Sequence, residues 1–152
     1  MKLSNIFLAI VLTVSAAVAH AESAQWEHIT VAGTDMFVIG NVSINCTSNP
    51  EDDGLLQHAV WIYGHAKVPP SQYDAHISFV INGTEYPVPP INGSVENENL
   101  WTHFIEAIGE TTKFDVLING KKVDSYTTNI KNVKKVLGNK FYGSCWNTHF
   151  QE

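Results

Sequence analysis

The six histidines from Glu22 onward (His28, His58, His65, His76, His103 and His149) are the side chains best suited to acid–base or metal chemistry near neutral pH. Their spacing supports neither. His103 and Glu106 stand one helical turn apart, yet the His-Glu-x-x-His of a zinc hydrolase is missing and no second close pair completes a ligand set. Asp74 and His76 alternate on a predicted strand or its lead-in and share a side, an arrangement that solvated polar residues reach by chance. Glu51-Asp52-Asp53 lacks the alternating spacing and the glycine of a calcium loop and reads as a solvated turn. No Gly-x-Ser-x-Gly elbow, Walker loop or dinucleotide fingerprint occurs. The sequence therefore names no catalytic residue, no metal ligand and no cofactor.

Gly143-Ser144-Cys145-Trp146 resembles the segment around the nucleophile of papain-like cysteine proteases. In that family the cysteine stands near the mature N-terminus with its histidine far downstream. Here six residues follow Trp146, and His149 is the one histidine among them. The leader gives the cysteine a different meaning. Lys2 precedes an apolar run from Ile6 through Val18, and Ala19-His20-Ala21 puts small residues where a signal peptidase reads. Cleavage is expected between Ala21 and Glu22, leaving a product that begins at Glu22. An uncleaved anchor is the alternative, but the run falls short of the roughly 20 residues that cross a bilayer. Export leaves Cys46 and Cys145 as a lone pair in an oxidising compartment, so a Cys46–Cys145 disulfide is predicted, with free thiols as the alternative.

Four Asn-x-Ser/Thr triplets begin at Asn41, Asn45, Asn82 and Asn92. They are glycan acceptors in a eukaryotic secretory pathway, but two coincide with Asn-Gly turns, and the Ala-His-Ala ending has a bacterial look. The expected compartment is the periplasm, with secretion as the alternative.

Charge is distributed unevenly. Between Glu22 and Glu110 twelve Asp and Glu face the single Lys67, whereas from Thr111 onward seven Lys face Asp115, Asp124 and Glu152. Loss of Lys2 with the leader takes the formal net charge from −6 to −7. There is no arginine, which removes the best phosphate-reading donor and argues against a nucleic-acid partner. An acidic surface suits a basic protein partner. No later segment is long and apolar enough to span a membrane, so an integral membrane protein is not expected.

The elements that must position these residues are mostly strands. Asn-Gly favours the positive φ angles of a type I′ turn, so Ile77–Ile81 and Thr84–Val88 around Asn82-Gly83 form one predicted hairpin, and Phe114–Ile118 and Lys121–Tyr126 around Asn119-Gly120 another. Upstream, strands are predicted over 27–31 and 36–39 around a turn at Gly33-Thr34-Asp35, then 42–46 and 59–63. Val42, Ile44 and Cys46 share a face, which points Cys46 at the core. Pro89-Pro90 makes Ile91-Asn92-Gly93 a loop. Helices are predicted from an Asn97 N-cap to Ile108, stopped by Gly109, and from Thr128 or Asn129 to Leu137, stopped by Gly138. The expected fold is a single α+β domain over 22–152, built on mainly antiparallel, sandwich-like sheet with two short helices.

Over Ile77–Cys145 the order of features resembles small periplasmic proteins of the invasion-associated locus B type and of the type VI secretion accessory type. The matching stretches are Leu100-Trp101-Thr102-His103-Phe104, Phe114–Ile118, Ser125-Tyr126-Thr127-Thr128 and Val133–Leu137, closed by Cys145. The resemblance implies a β-rich periplasmic module and transfers no catalytic residue. A small, acidic, exported domain without a chemical motif works by contact. The favoured reading is a non-catalytic envelope protein of inhibitor, immunity or phage superinfection-exclusion type, with Trp61, Tyr63 and Tyr73 as candidate anchors. Two other readings make structural demands. A small metal-dependent or acid/base hydrolase requires several of His58, His65, His76 and His103 in one pocket with a carboxylate. A carrier of a small apolar ligand requires a large apolar cavity.

Overall fold

The computed structural model describes residues 22–47, 58–64, 75–89 and 94–146. The leader through Ala21, the Glu51-Asp52-Asp53 segment, His65, Tyr73, Asp74, Ile91-Asn92-Gly93 and His149 lie outside the described residues. Within them the chain runs β1 (Glu22–Ser23), β2 (Glu27–Val31), β3 (Thr34–Ile39), β4 (Val42–Thr47), β5 (Ala59–Ile62), β6 (Ile77–Ile81), β7 (Thr84–Pro87), α1 (Val95–Glu110), β8 (Lys113–Ile118), β9 (Lys121–Thr127), α2 (Ile130–Val136) and α3 (Gly138–Cys145). Two sheets form, one in the order β1-β9-β8-β6-β7 and the other β2-β3-β4-β5. All pairings are antiparallel except the short parallel join of β1 to β9. The α+β class on mainly antiparallel sheet is as the sequence predicts.

Both Asn-Gly turns adopt the expected geometry, with φ of 51° and 80° at Asn82-Gly83 and 50° and 75° at Asn119-Gly120. The first hairpin departs from expectation. Its turn is Ala32-Gly33, with φ of 47° and 82°, so Thr34 and Asp35 already belong to β3 and pair with Val31 and Thr30. Alanine pays a steric penalty in the left-handed region, which is why the sequence does not advertise the turn.

The helices differ from expectation in three ways. Helix α1 begins one residue after Ser94, whose hydroxyl accepts from the Asn97 N–H at 3.2 Å, and it runs through Gly109 to Glu110. Its opening turn, Val95-Glu96-Asn97, buries little, so apolar periodicity is silent there. Helix α2 is capped by the Asn129 side chain, as predicted. Gly138, however, starts a third helix instead of ending the second. Leu137, Phe141 and Cys145 recur every four residues and are all fully buried. Burying that stripe outweighs the roughly 1 kcal/mol that glycine costs a helix.

The helices supply the cover for both sheets. From α1, Phe104 meets Phe79 of β6 with ring centroids 4.9 Å apart, and Phe79 continues to Phe114 at 5.6 Å. From α3, Phe141 meets Phe37 of β3 edge-on at 4.9 Å. Asn132 of α2 ties down the chain entering β2, accepting from the Trp26 N–H at 2.7 Å and donating to the Trp26 carbonyl at 3.1 Å. The two sheets touch where the Tyr126 hydroxyl of β9 accepts from the Asn41 N–H in the β3–β4 turn at 3.1 Å.

Candidate functional site

Direct strand partners point to the same side of a sheet, so the register of the second sheet sorts its side chains into two faces. The inner face carries His28, Thr30, Asp35, Phe37, Ile44 and Cys46 and meets α3. The outer face carries the rows Glu27–Val38–Ser43–Trp61 and Ile29–Met36–Asn45–Ala59. Two surfaces with functional character result, one on each face.

The outer face exposes apolar groups at its margins. At the β5 end the Trp61 and Tyr63 rings stack, with centroids 6.3 Å apart and planes 15° from parallel. Trp61 is half-buried, whereas Tyr63 is 47% exposed. Among the described residues the buried Trp61 Nε1 has no hydrogen-bond partner. At the opposite edge Ile29 and Val31 of β2 are about half exposed. The centre of this face, Ser43, Asn45, Thr47 and Ala59, is buried. Two of the three anchors predicted from sequence thus stand together, and Tyr73 lies outside the described residues.

The inner face holds a cluster that the sequence reading missed. Asp35 Oδ1 lies 2.7 Å from His28 Nε2 and accepts from Thr30 Oγ1 at 2.7 Å, while its Oδ2 accepts from Ser144 Oγ of α3 at 2.5 Å. The His28 ring lies against Phe37 at 4.8 Å. This contains the residue types of a serine-protease triad, but the connectivity is wrong for one. The carboxylate occupies the centre and the serine hydroxyl donates to it, so the imidazole does not face the hydroxyl as it must in such a triad. Partial burial alone would raise the Asp35 pKa. Hydrogen bonds from Ser144, Thr30 and His28, with the charge interaction from His28, overcome that effect and lower it from 3.8 to about 2. A carboxylate held that acidic is a poor proton acceptor and a good anchor for α3.

The sequence signal for this cluster was register. A two-residue turn at Ala32-Gly33 sets Thr30 opposite Asp35, whereas the expected turn at Gly33-Thr34-Asp35 removes Asp35 from the strand. Ser144 is 109 residues away, and no local pattern reaches it. Asp35→Asn places an N–H₂ group among donors and is expected to lower stability by about 1–3 kcal/mol. The sign with pH follows from the lowered pKa: the carboxylate's contribution is present in full above about 4 and is lost as pH falls through about 2. Urea unfolding of both proteins at pH 7 and at successively lower pH checks this, since the wild-type advantage should shrink only in that acid window.

Cys46 is the direct strand partner of Asp35, and Cys145 follows Ser144. The two cysteines are joined across 99 residues with Cα atoms 4.9 Å apart, and neither is exposed. Adjacent residues of α3 are therefore fastened to adjacent strands by a covalent bond and a hydrogen bond. The papain-like reading of Cys145 finds no thiol here.

The described histidines occupy separate settings. His58 is buried against the Trp101 ring of α1, His76 donates its backbone N–H to Asn119 Oδ1 at 3.0 Å, and exposed His103 lies 3.8 Å from Glu106 on the surface of α1. Among the described residues no three of His, Cys, Asp and Glu stand close enough to hold a metal. A groove of about 400 Å³ near the β6–β7 turn is lined by Val80, Asn82, Gly83, Lys113, Phe114 and Asp115. Another of about 200 Å³ is lined by Gln25, Asn129, Lys131, Asn132 and Lys135. Both mix charged and polar groups into their walls, unlike the cavity a carrier of apolar ligands needs. No described helix is long and apolar enough to cross a membrane.

Comparison with known proteins gives one consistent result. The family model described as YfjT matches residues 24–137. "Uncharacterized protein YfjT" of Escherichia coli (strain K12) is 33% identical over 111 residues, covering 72% of this chain and 68% of that protein. "Uncharacterized protein YkfB" of the same organism is 35% identical over 107 residues, covering 69% and 68%. These matches lend nothing to the resemblance to the invasion-associated locus B and type VI accessory types. No solved structure matches the chain.

Proposed function

This chain belongs to the YfjT family, and from that premise we propose that it is an exported, non-catalytic contact protein of the periplasm. It occupies a basic protein partner in the manner of an inhibitor, an immunity protein or a superinfection-exclusion factor. The observation that carries the reading is the Trp61–Tyr63 stack, an aromatic pair half out of solvent at a sheet margin with an indole N–H that no described residue satisfies. Tyrosine and tryptophan give large contact area at low entropic cost and dominate binding hot spots. The acid-rich sequence from Glu22 to Glu110 supplies long-range attraction for a basic partner.

The test is capture from a periplasmic extract by the mature protein and by its Trp61→Ala/Tyr63→Ala double variant, at low and high salt. A specific basic partner is expected at low salt, weakened by salt and reduced at least about tenfold by the double variant. Absence of a partner at every salt concentration, or equal capture by the variant, refutes the reading.

A further inference from the structure

Five residues form a closed ring of contacts where β4, β5, α1 and α3 meet. The His58 ring lies flat on the Trp101 indole, with centroids 5.2 Å apart and planes 8° from parallel. Trp101 Nε1 donates to the Cys145 carbonyl at 2.8 Å. Cys145 is bonded to Cys46, and the N–H of the next residue, Thr47, donates back to His58 Nδ1 at 3.3 Å. Four of the five links are insensitive to mild acid. The fifth requires an unprotonated Nδ1, which places the ring's proton on Nε2.

We propose that His58 is an acid-released latch. Protonation at Nδ1 sets an N–H against the Thr47 N–H, breaks that link, and frees the His58 end of β5 from β4, while the stack on Trp101, the disulfide and the Trp101–Cys145 bond hold the rest in place. The proton comes from solvent and stays on the ring, so the step needs no other reactant.

The surroundings give a charged ring little compensation. β4 and α3 bring the bonded cysteines, β5 opens with Ala59 and Val60, and α1 carries Glu98 on its buried face one turn before Trp101. The Trp101 face favours the cation, but burial dominates and lowers the His58 pKa from 6.5 to about 4. The latch is thus closed at neutral pH and opens under acid. It biases the strand that carries Trp61, but its operation requires no assumption about what that surface binds.

The test follows the isotopically labelled, disulfide-intact mature protein by NMR from pH 7 to pH 3.5. The Thr47 amide should lose its hydrogen-bonded shift, and its exchange protection should fall at least about tenfold, in step with the His58 ring titration. Amides of β8 and β9 should stay protected throughout. His58→Gln, whose side-chain oxygen can accept at every pH, should keep Thr47 protected in acid. His58→Phe, which can stack but cannot accept, should remove the pH dependence and leave Thr47 less protected at pH 7 than it is in the wild type. Thr47 protection that is independent of His58 titration overturns the proposal. So does simultaneous loss of β8 and β9 protection, because that is global unfolding and not release of a latch. Wild-type data alone decide between these outcomes should either variant fail to fold.

Discussion

Replacing both cysteines by alanine is expected to cost about 4–5 kcal/mol of stability, since a crosslink closing a loop of this length removes that much chain entropy from the unfolded state. The 99-residue separation spans nearly the whole described structure from β4 to the end of α3. The native state is affected as well, because Trp101 Nε1 is anchored on the Cys145 carbonyl and Ser144 on Asp35. Without the bond the C-terminus of α3 is held by those hydrogen bonds and by Phe141 and Leu137. Urea unfolding should show a lower midpoint together with a larger m-value, since the uncrosslinked unfolded chain exposes more surface. The sulfurs of the native protein should resist alkylation until reductant and denaturant are added together. A loss below about 1 kcal/mol, or ready alkylation of the untreated protein, contradicts the covalent join.

How far the sequence revealed the fold depended on whether the determining chemistry was local. The two Asn-Gly hairpins were legible because asparagine and glycine tolerate the left-handed region that a type I′ turn demands. The Ala32-Gly33 hairpin uses the same backbone with a residue that does not announce it, so the sequence predicts a shorter β3 and puts Asp35 in the turn. The Cys46–Cys145 pairing was legible by elimination, since only two cysteines occur. The Asp35–Ser144 bond beside it is equally long-range but has no such arithmetic. Glycine predicts a stop at Gly138, where its penalty is smaller than the gain from burying Phe141 and Cys145. At the candidate site, Trp61 was legible as a strand-borne aromatic, whereas Tyr63, expected in the same strand, stands in the turn just after β5, and sequence alone did not say which of them would face water. Nor did the sequence bring His58 to Trp101, because β5 and α1 meet only through tertiary packing.

Gly40→Ala is expected to destabilise the protein by about 2–5 kcal/mol, combining the cost of a side chain in the left-handed region with that of overpacking a filled core. Gly40 has φ of +54°, and a Cβ there would stand 2.9 Å from both Cζ and the hydroxyl oxygen of Tyr126 and still closer to Cε1. The tyrosine ring has no room to retreat. It is buried to 1% exposure, its neighbour Phe114 lies 5.5 Å away, and its hydroxyl is fixed by the Asn41 N–H. Tyr126 belongs to β9 and Gly40 to the β3–β4 turn, so the collision falls where the two sheets meet and forces them apart. A double-mutant cycle with Tyr126→Ala separates the two contributions. In the Tyr126→Ala background the steric part disappears, and Gly40→Ala should cost only the backbone share, about 1–2 kcal/mol. Equal costs in both backgrounds show that the ring is not what excludes a side chain at position 40, and the close approach of the sheets through Tyr126 is then not the constraint that fixes their spacing.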